Sequence, residues 1–216
     1  MKRRTFLSAV VSMAGLAVAD ATRAFALSND IGEYVPNVHV ADETRAAVMK
    51  LQGLGAGGST VIEFFDYNCP YCRSVAPELD ALVARQKLHL TFVNTPVLSS
   101  ASEEAAKVEA AVRSLRGNGA ARTLQRRLMG LSGYIDGERA LVVAEAMGLN
   151  RAAVEKAAAQ AAASVAAATR LASQCGLYGT PSFIVGNAGF VGYPGPKAMA
   201  SLVGAMHRCG NIECAG

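Results

Sequence analysis

Two cysteines, Cys69 and Cys72, close the run Glu63-Phe64-Phe65-Asp66-Tyr67-Asn68-Cys69-Pro70-Tyr71-Cys72. A pair at this spacing can cycle between dithiol and disulfide: one thiolate attacks a sulfur of a partner, and the other collapses the mixed disulfide. The same thiols could form half of a zinc site, which needs two further Cys or His ligands at compatible spacing. His39, His89 and His207 are isolated, and Cys209 and Cys214 stand too far apart to repeat the pattern, so redox chemistry is the better reading and no bound metal is expected. A purely structural disulfide is a third use, and the start of a helix is a poor place for such a staple.

The flanking residues say how the pair is positioned. Val61 to Phe65 has the β-branched and aromatic character of a buried strand, and Arg73 to Lys87 carries Val75, Leu79, Leu82 and Val83 at helical spacing. Cys69 therefore falls at or just before the first helical residue, where unpaired N–H groups and the helix dipole stabilise a thiolate. Pro70 suits the first turn, because the N–H it lacks would have had no partner there. Cys69 is expected to be exposed and low in pKa, and Cys72, one turn on, to be the less accessible thiol. Glu63 interrupts the apolar strand, so it is either on a solvated face or buried with a raised pKa. Asp66 has the spacing of a capping or turn residue.

Met1-Lys2-Arg3-Arg4-Thr5-Phe6-Leu7 followed by an apolar run to Ala19 has the form of an export signal, and the paired arginines resemble a twin-arginine type. Cleavage after Ala26 is expected, giving a periplasmic protein. The apolar run is shorter than the roughly 20 residues needed to cross a bilayer. Loss of residues 1–26 removes Lys2, Arg3, Arg4 and Arg23 but only Asp20 among the acids, leaving the charges nearly balanced. The basic pI of about 8.9 thus belongs largely to the signal and gives no warrant for nucleic-acid binding.

The remaining chain divides into an extension over 27–57, a main domain over 58–208 and a tail over 209–216. The extension holds a short helix from about Asp42 to Leu51 and ends in the glycine-rich stretch Gly53 to Ser59. Leu88 to Val93 alternates as a second strand, parallel to the first because a helix separates them. From about 102 to 174 the composition is helical, punctuated at Gly117-Asn118-Gly119, Gly130 to Gly133 and Gly148-Leu149-Asn150, which predicts four helices near 102–116, 119–130, 136–147 and 150–174. Pro181 to Val185 and Gly189 to Gly192 form a hairpin around Gly186-Asn187, and a last helix runs from about Pro196 to His207.

The motif Phe-Phe-Asp-Tyr-Asn-Cys-Pro-Tyr-Cys, together with Gly179-Thr180-Pro181-Ser182-Phe183 more than a hundred residues later, resembles the DsbA-like thiol:disulfide oxidoreductases. The resemblance implies an α/β thioredoxin fold with a helical insertion between its βαβ and ββα halves. It also implies a cis Thr180–Pro181 bond beside the cysteines, with Thr180 and Pro181 contacting substrate, Pro70 and Tyr71 setting the redox poise, and Glu63 exchanging a proton with Cys72. Catalysis would rest on Cys69, Cys72 and Glu63 without a cofactor, acting on exported cysteine-containing proteins and a membrane redox partner. The direction stays open between oxidase and reductase or isomerase: Thr180 and the CPYC tyrosine are shared with reducing or isomerising relatives, and the layout resembles oxidases. In some isomerising relatives an N-terminal extension mediates oligomers. A different class of function is a thioredoxin-fold protein that carries a soft metal such as copper on the two thiols. Cys175 is expected to be a buried small hydrophobe; Cys209 and Cys214 could pair, with a bond from Cys175 to one of them as the rival.

Overall fold

In the computed structural model the described residues are 38–52, 61–86, 89–210 and 212. The export signal, the 27–37 lead-in, the glycine-rich stretch and Cys214 lie outside them. In chain order the elements are β1 (Val38–His39), α1 (Asp42–Leu51), β2 (Val61–Phe65), α2 (Pro70–Gln86), β3 (Leu90–Asn94), α3 (Ser100–Met129), α4 (Gly137–Ala146), α5 (Arg151–Ala159), α6 (Ala162–Gln174), β4 (Ser182–Val185), β5 (Ala188–Val191) and α7 (Pro196–Cys209).

The strands form one sheet in the order β1-β5-β4-β2-β3. β2 and β3 are parallel, joined through α2, and β4 lies antiparallel to both β2 and β5. β2 lies inside the sheet between β4 and β3 and all five of its residues are buried, so it shows no polar alternation. Its odd positions face α2 and α7: Val61 packs with Val75, Leu79, Leu82, Phe183, Met199 and Val203. Ile62 and Phe64 face the other way, onto Val48 and Met49 of α1 and Ala168 and Ala172 of α6. Cys175 belongs to this second cluster as a free, buried thiol. Cys209 is disulfide-bonded, which excludes a bond between it and Cys175.

The third cluster joins the end of β2 to the insertion. Phe65, Tyr67, Cys69, Cys72 and Phe92 pack against residues of α3, α4 and α5, including Leu124, Leu128, Ala140 and Val154. Helix α3 begins on Ser99, whose side chain accepts from the Ser102 N–H, and its helical course is interrupted at Gly117, where φ is 79° and ψ is 179°. The predicted break at Gly117-Asn118-Gly119 is present: Gly117 has non-helical φ and ψ and parts α3 into two helical segments at a kink. By contrast, the stretch expected as one helix over 150–174 is two, parted at Gln160–Ala161. Residues 38–51 share the domain core: β1 pairs with β5, and α1 packs on α6. Among the described residues no helix is long and apolar enough to cross a membrane.

Candidate active site

Asp66 organises the turn between β2 and α2. Its Oδ1 accepts from the Asn68 N–H at 2.7 Å and from Ser102 Oγ at 2.7 Å. Its Oδ2 accepts from the N–H groups of Val97 and Leu98, each at 3.0 Å. Asn68 carries the connection further, donating to Ile135 O at 2.8 Å while its Oδ1 accepts from the Ile135 N–H at 2.7 Å. The cysteine turn is thereby tied to the loop after β3, the start of α3 and the loop before α4. Below it the Tyr67 hydroxyl donates to buried Glu109 at 2.9 Å, and Asn94 Nδ2 donates to the same carboxylate at 2.9 Å.

Cys69 directly precedes Pro70, the first residue of the 17-residue α2. Its thiol donates to the Thr180 carbonyl at 3.1 Å, and the Thr180–Pro181 bond is cis. Cys69 keeps only 3 % of its accessible surface, against the expectation of an exposed thiol. Its contact with Thr180 lies 111 residues along the chain, which local spacing does not show. The ranking of the pair holds, since Cys72 has no accessible surface.

The electrostatics separate the two thiols. Cys69 is lowered to about 6, first by the hydrogen bond from Cys72, with burial opposing, then by the Thr180 side chain and the backbone of Cys72 and Tyr71 at the start of α2. The carbonyl contact itself favours the protonated thiol, so the lowering rests on donors around the sulfur. Burial pushes Cys72 far up, and its hydrogen bond to Cys69 adds to the rise.

Glu63 is buried on β2, and its Oε1 has no hydrogen-bond partner among the described residues. Burial pushes its carboxyl up to about 8, Arg122 pulls it down, and Asp80 and Cys69 push it up. Glu63 is near enough to raise the Cys72 thiol as well. A carboxyl in that range can take up or release a proton close to neutral pH.

The sequence-selected residues thus converge, in layers. Glu63 and Cys72 are buried, Cys69 and Pro181 lie above them, Thr180 is partly covered, and Pro70 and Tyr71 stand in solvent. Tyr71 is 71 % exposed. Further exposed apolar side chains lie on the segments tied to the cysteine turn: Val97 and Leu98 on the loop held by Asp66, Tyr134 beside the Asn68-bound Ile135, and Tyr178 two residues before Thr180. Sequence reasoning did not single out this apolar rim, the Tyr67–Glu109 contact or Arg122. Each depends on long-range packing, and the insertion's Arg-rich segment 122–127 was the one visible signal. The two thiols are the available soft-metal ligands, and among the described residues no group of three or more His, Cys, Asp or Glu could hold a metal ion.

Comparison with known proteins agrees with this geometry. No curated protein sequence matches the chain. A thioredoxin-like oxidoreductase from Silicibacter pomeroyi DSS-3 is 32 % identical, with 71 % of this chain and 88 % of that one covered and a TM-score of 0.64. The thiol-disulfide exchange protein alpha-DsbA2 from Wolbachia pipientis, at 20 % identity, covers 76 % of this chain and 97 % of its own with a TM-score of 0.62. The catalytic domain of ScsC from Proteus mirabilis, at 18 % identity, covers 76 % and 96 % with a TM-score of 0.57. The latter two show the fold alone. Residues 84–204 match the profile of the DSBA-like thioredoxin domain. That stretch begins after the cysteine pair, so insertion, cis-proline loop and closing helix carry the match independently of the CPYC motif. The chain belongs to the DSBA-like thioredoxin domain family.

Proposed function

We propose that the protein is an exported thiol:disulfide oxidoreductase that exchanges disulfides with cysteine-containing proteins through Cys69 and Cys72. The observation that carries the reading is the pairing of a lowered Cys69 thiol, at the start of α2 and against the cis Thr180–Pro181 segment, with a buried, raised Cys72 thiol. In the oxidising direction a substrate thiolate attacks Sγ of Cys69 in the Cys69–Cys72 disulfide. Cys72 leaves as a thiolate and takes a proton from Glu63. A second substrate thiolate then attacks the substrate sulfur of the mixed disulfide, releasing oxidised substrate and the Cys69 thiolate. In the reducing direction the steps reverse: Glu63 accepts the Cys72 proton, and the Cys72 thiolate displaces the substrate from Cys69.

Pro70 and Tyr71 tune the poise by fixing the turn that presents Cys69, and Thr180 and Pro181 receive the substrate backbone. The exposed rim of Tyr71, Val97, Leu98, Tyr134 and Tyr178 supports a macromolecular substrate with apolar side chains near its cysteine. Export to the periplasm, a membrane redox partner and assembly through the N-terminal extension belong to the same proposal. Equilibration with glutathione buffers tests it. We expect a reduction potential of roughly −120 to −230 mV. A value near that of thioredoxin would exclude an oxidase, and failure to form the Cys69–Cys72 disulfide would exclude the enzyme class.

A further inference from the structure

The helical insertion contributes to the redox site at a point remote from the apolar rim. Arg122 lies beyond the Gly117 kink of α3, and that kink turns the second half of the helix across β3 toward α2. Its guanidinium carbon sits 3.5 Å from the centre of the Phe92 ring. Phe92 is the register partner of Glu63 in the parallel β2–β3 pair. The side chain is held from the far side by Asp80 of α2, with Arg122 Nη2 2.5 Å from Oδ1, and within its own helix Arg122 donates to Gln125 at 2.7 Å. Asp80 is steadied in turn by Arg126 at 2.9 Å. The result is a fixed cation stacked on the aromatic ring beside a buried carboxyl that has an unpartnered oxygen.

The groups that act on Glu63 are few. From α2 come Cys72 and Asp80, from the preceding turn Cys69, from the loop after β5 the Tyr193 hydroxyl, and from α3 Arg122. The neighbouring strands place Phe92 and Phe183 opposite it, neither of which titrates. Arg122 is the group in this set that favours the carboxylate. Burial lowers the Arg122 guanidinium to about 10, which leaves it charged throughout the working range of a thiol enzyme.

We propose that Arg122 is a positioning residue for the proton transfer between Glu63 and Cys72: clamped between Asp80 and the Phe92 ring, it supplies the positive charge that sets the pH at which Glu63 can accept the proton. This rests on the proton-transfer reading of Glu63. In the resolving step the carboxylate of Glu63 takes the Cys72 proton. The Cys72 thiolate then forms the S–S bond to Cys69, and the Cys69–substrate bond breaks with the substrate leaving as a thiolate. Arg122 touches no reacting atom. It determines how much of Glu63 is ionised, and so ties the redox site to the insertion.

The test is a titration of the Glu63 carboxyl by 13C NMR in the reduced protein, assigned by loss of its signal in E63Q, alongside the pH–rate profile of mixed-disulfide resolution. R122M should move both midpoints toward alkaline pH by about one unit. R122K, which keeps the charge, should return most of that shift; R122Q serves in place of R122M if the latter does not fold. An unchanged Glu63 midpoint in R122M overturns the proposal. A shifted midpoint with an unmoved rate profile overturns instead the reading on which it rests, because Glu63 would then not be the proton acceptor.

Discussion

The asymmetry of the two sulfurs arises from the deeper burial of Cys72 together with the hydrogen bond between them. Cys72 donates to Cys69, which lowers one thiol and raises the other. Titration of reduced protein by thiolate absorbance should therefore show a midpoint near the value of about 6 given by the surroundings of Cys69. In C72A the midpoint should rise, since the largest stabilising donor is gone; an unmoved midpoint would assign the effect to the helix start instead. Glu63 contributes an opposite pH dependence to stability. Its folded pKa is raised from the usual 4.5 to about 8, so the native state increasingly loses stability as pH climbs between these values, where the unfolded chain is already ionised. E63Q removes that loss. Its stability advantage over wild type should grow from pH 4.5 to 8 by a few kcal/mol, at about 1.4 kcal/mol per pKa unit, and level off above. Parallel stability curves from paired denaturant titrations would show that Glu63 does not titrate as a buried group.

Elements are held around the site by a small number of buried polar side chains. Asp66 is the main one, and D66A would leave the N–H groups of Val97 and Leu98 and the Ser102 hydroxyl without their acceptor. We expect a loss of about 3 kcal/mol in urea unfolding, with hydrogen exchange accelerated first in the loop after β3. A change below about 0.5 kcal/mol would mean that these donors find water at little cost. At the opposite edge Gly189 allows β1 to seat, because a Cβ there would lie 2.6 Å from Val38 Cγ2. The elements legible in the sequence were those with strong periodicity and local punctuation: α1, β2, α2 and the hairpin of β4 and β5. The division of α5 from α6 was not legible, since Gln160–Ala161 lies in an alanine-rich run with no glycine, proline or capping residue. β1 is two residues long and exists only through its pairing with β5. The same distinction governs the site. Cys69 and Cys72 declare themselves by type and spacing, whereas the cover over Cys69 and the place of Arg122 require segments far apart in the chain.

At the scale of the whole molecule, the sheet and α2 hold one sulfur against the cis Thr180–Pro181 segment, and the insertion packs around the cysteine turn. A reversible substrate should therefore meet Cys69 first and be released by Cys72, whichever direction the redox poise of its compartment imposes. The most direct measurement is the recovery of covalent partners from whole extracts of cells producing C72A or C69A, separated on non-reducing gels. C72A should accumulate reductant-sensitive adducts with cysteine-containing proteins, and C69A almost none. A soft-metal carrier predicts no covalent partners from either variant. Absence of adducts from C72A, or equal yields from the two, would contradict the assignment of Cys69 as the nucleophile and of thiol:disulfide exchange as the reaction.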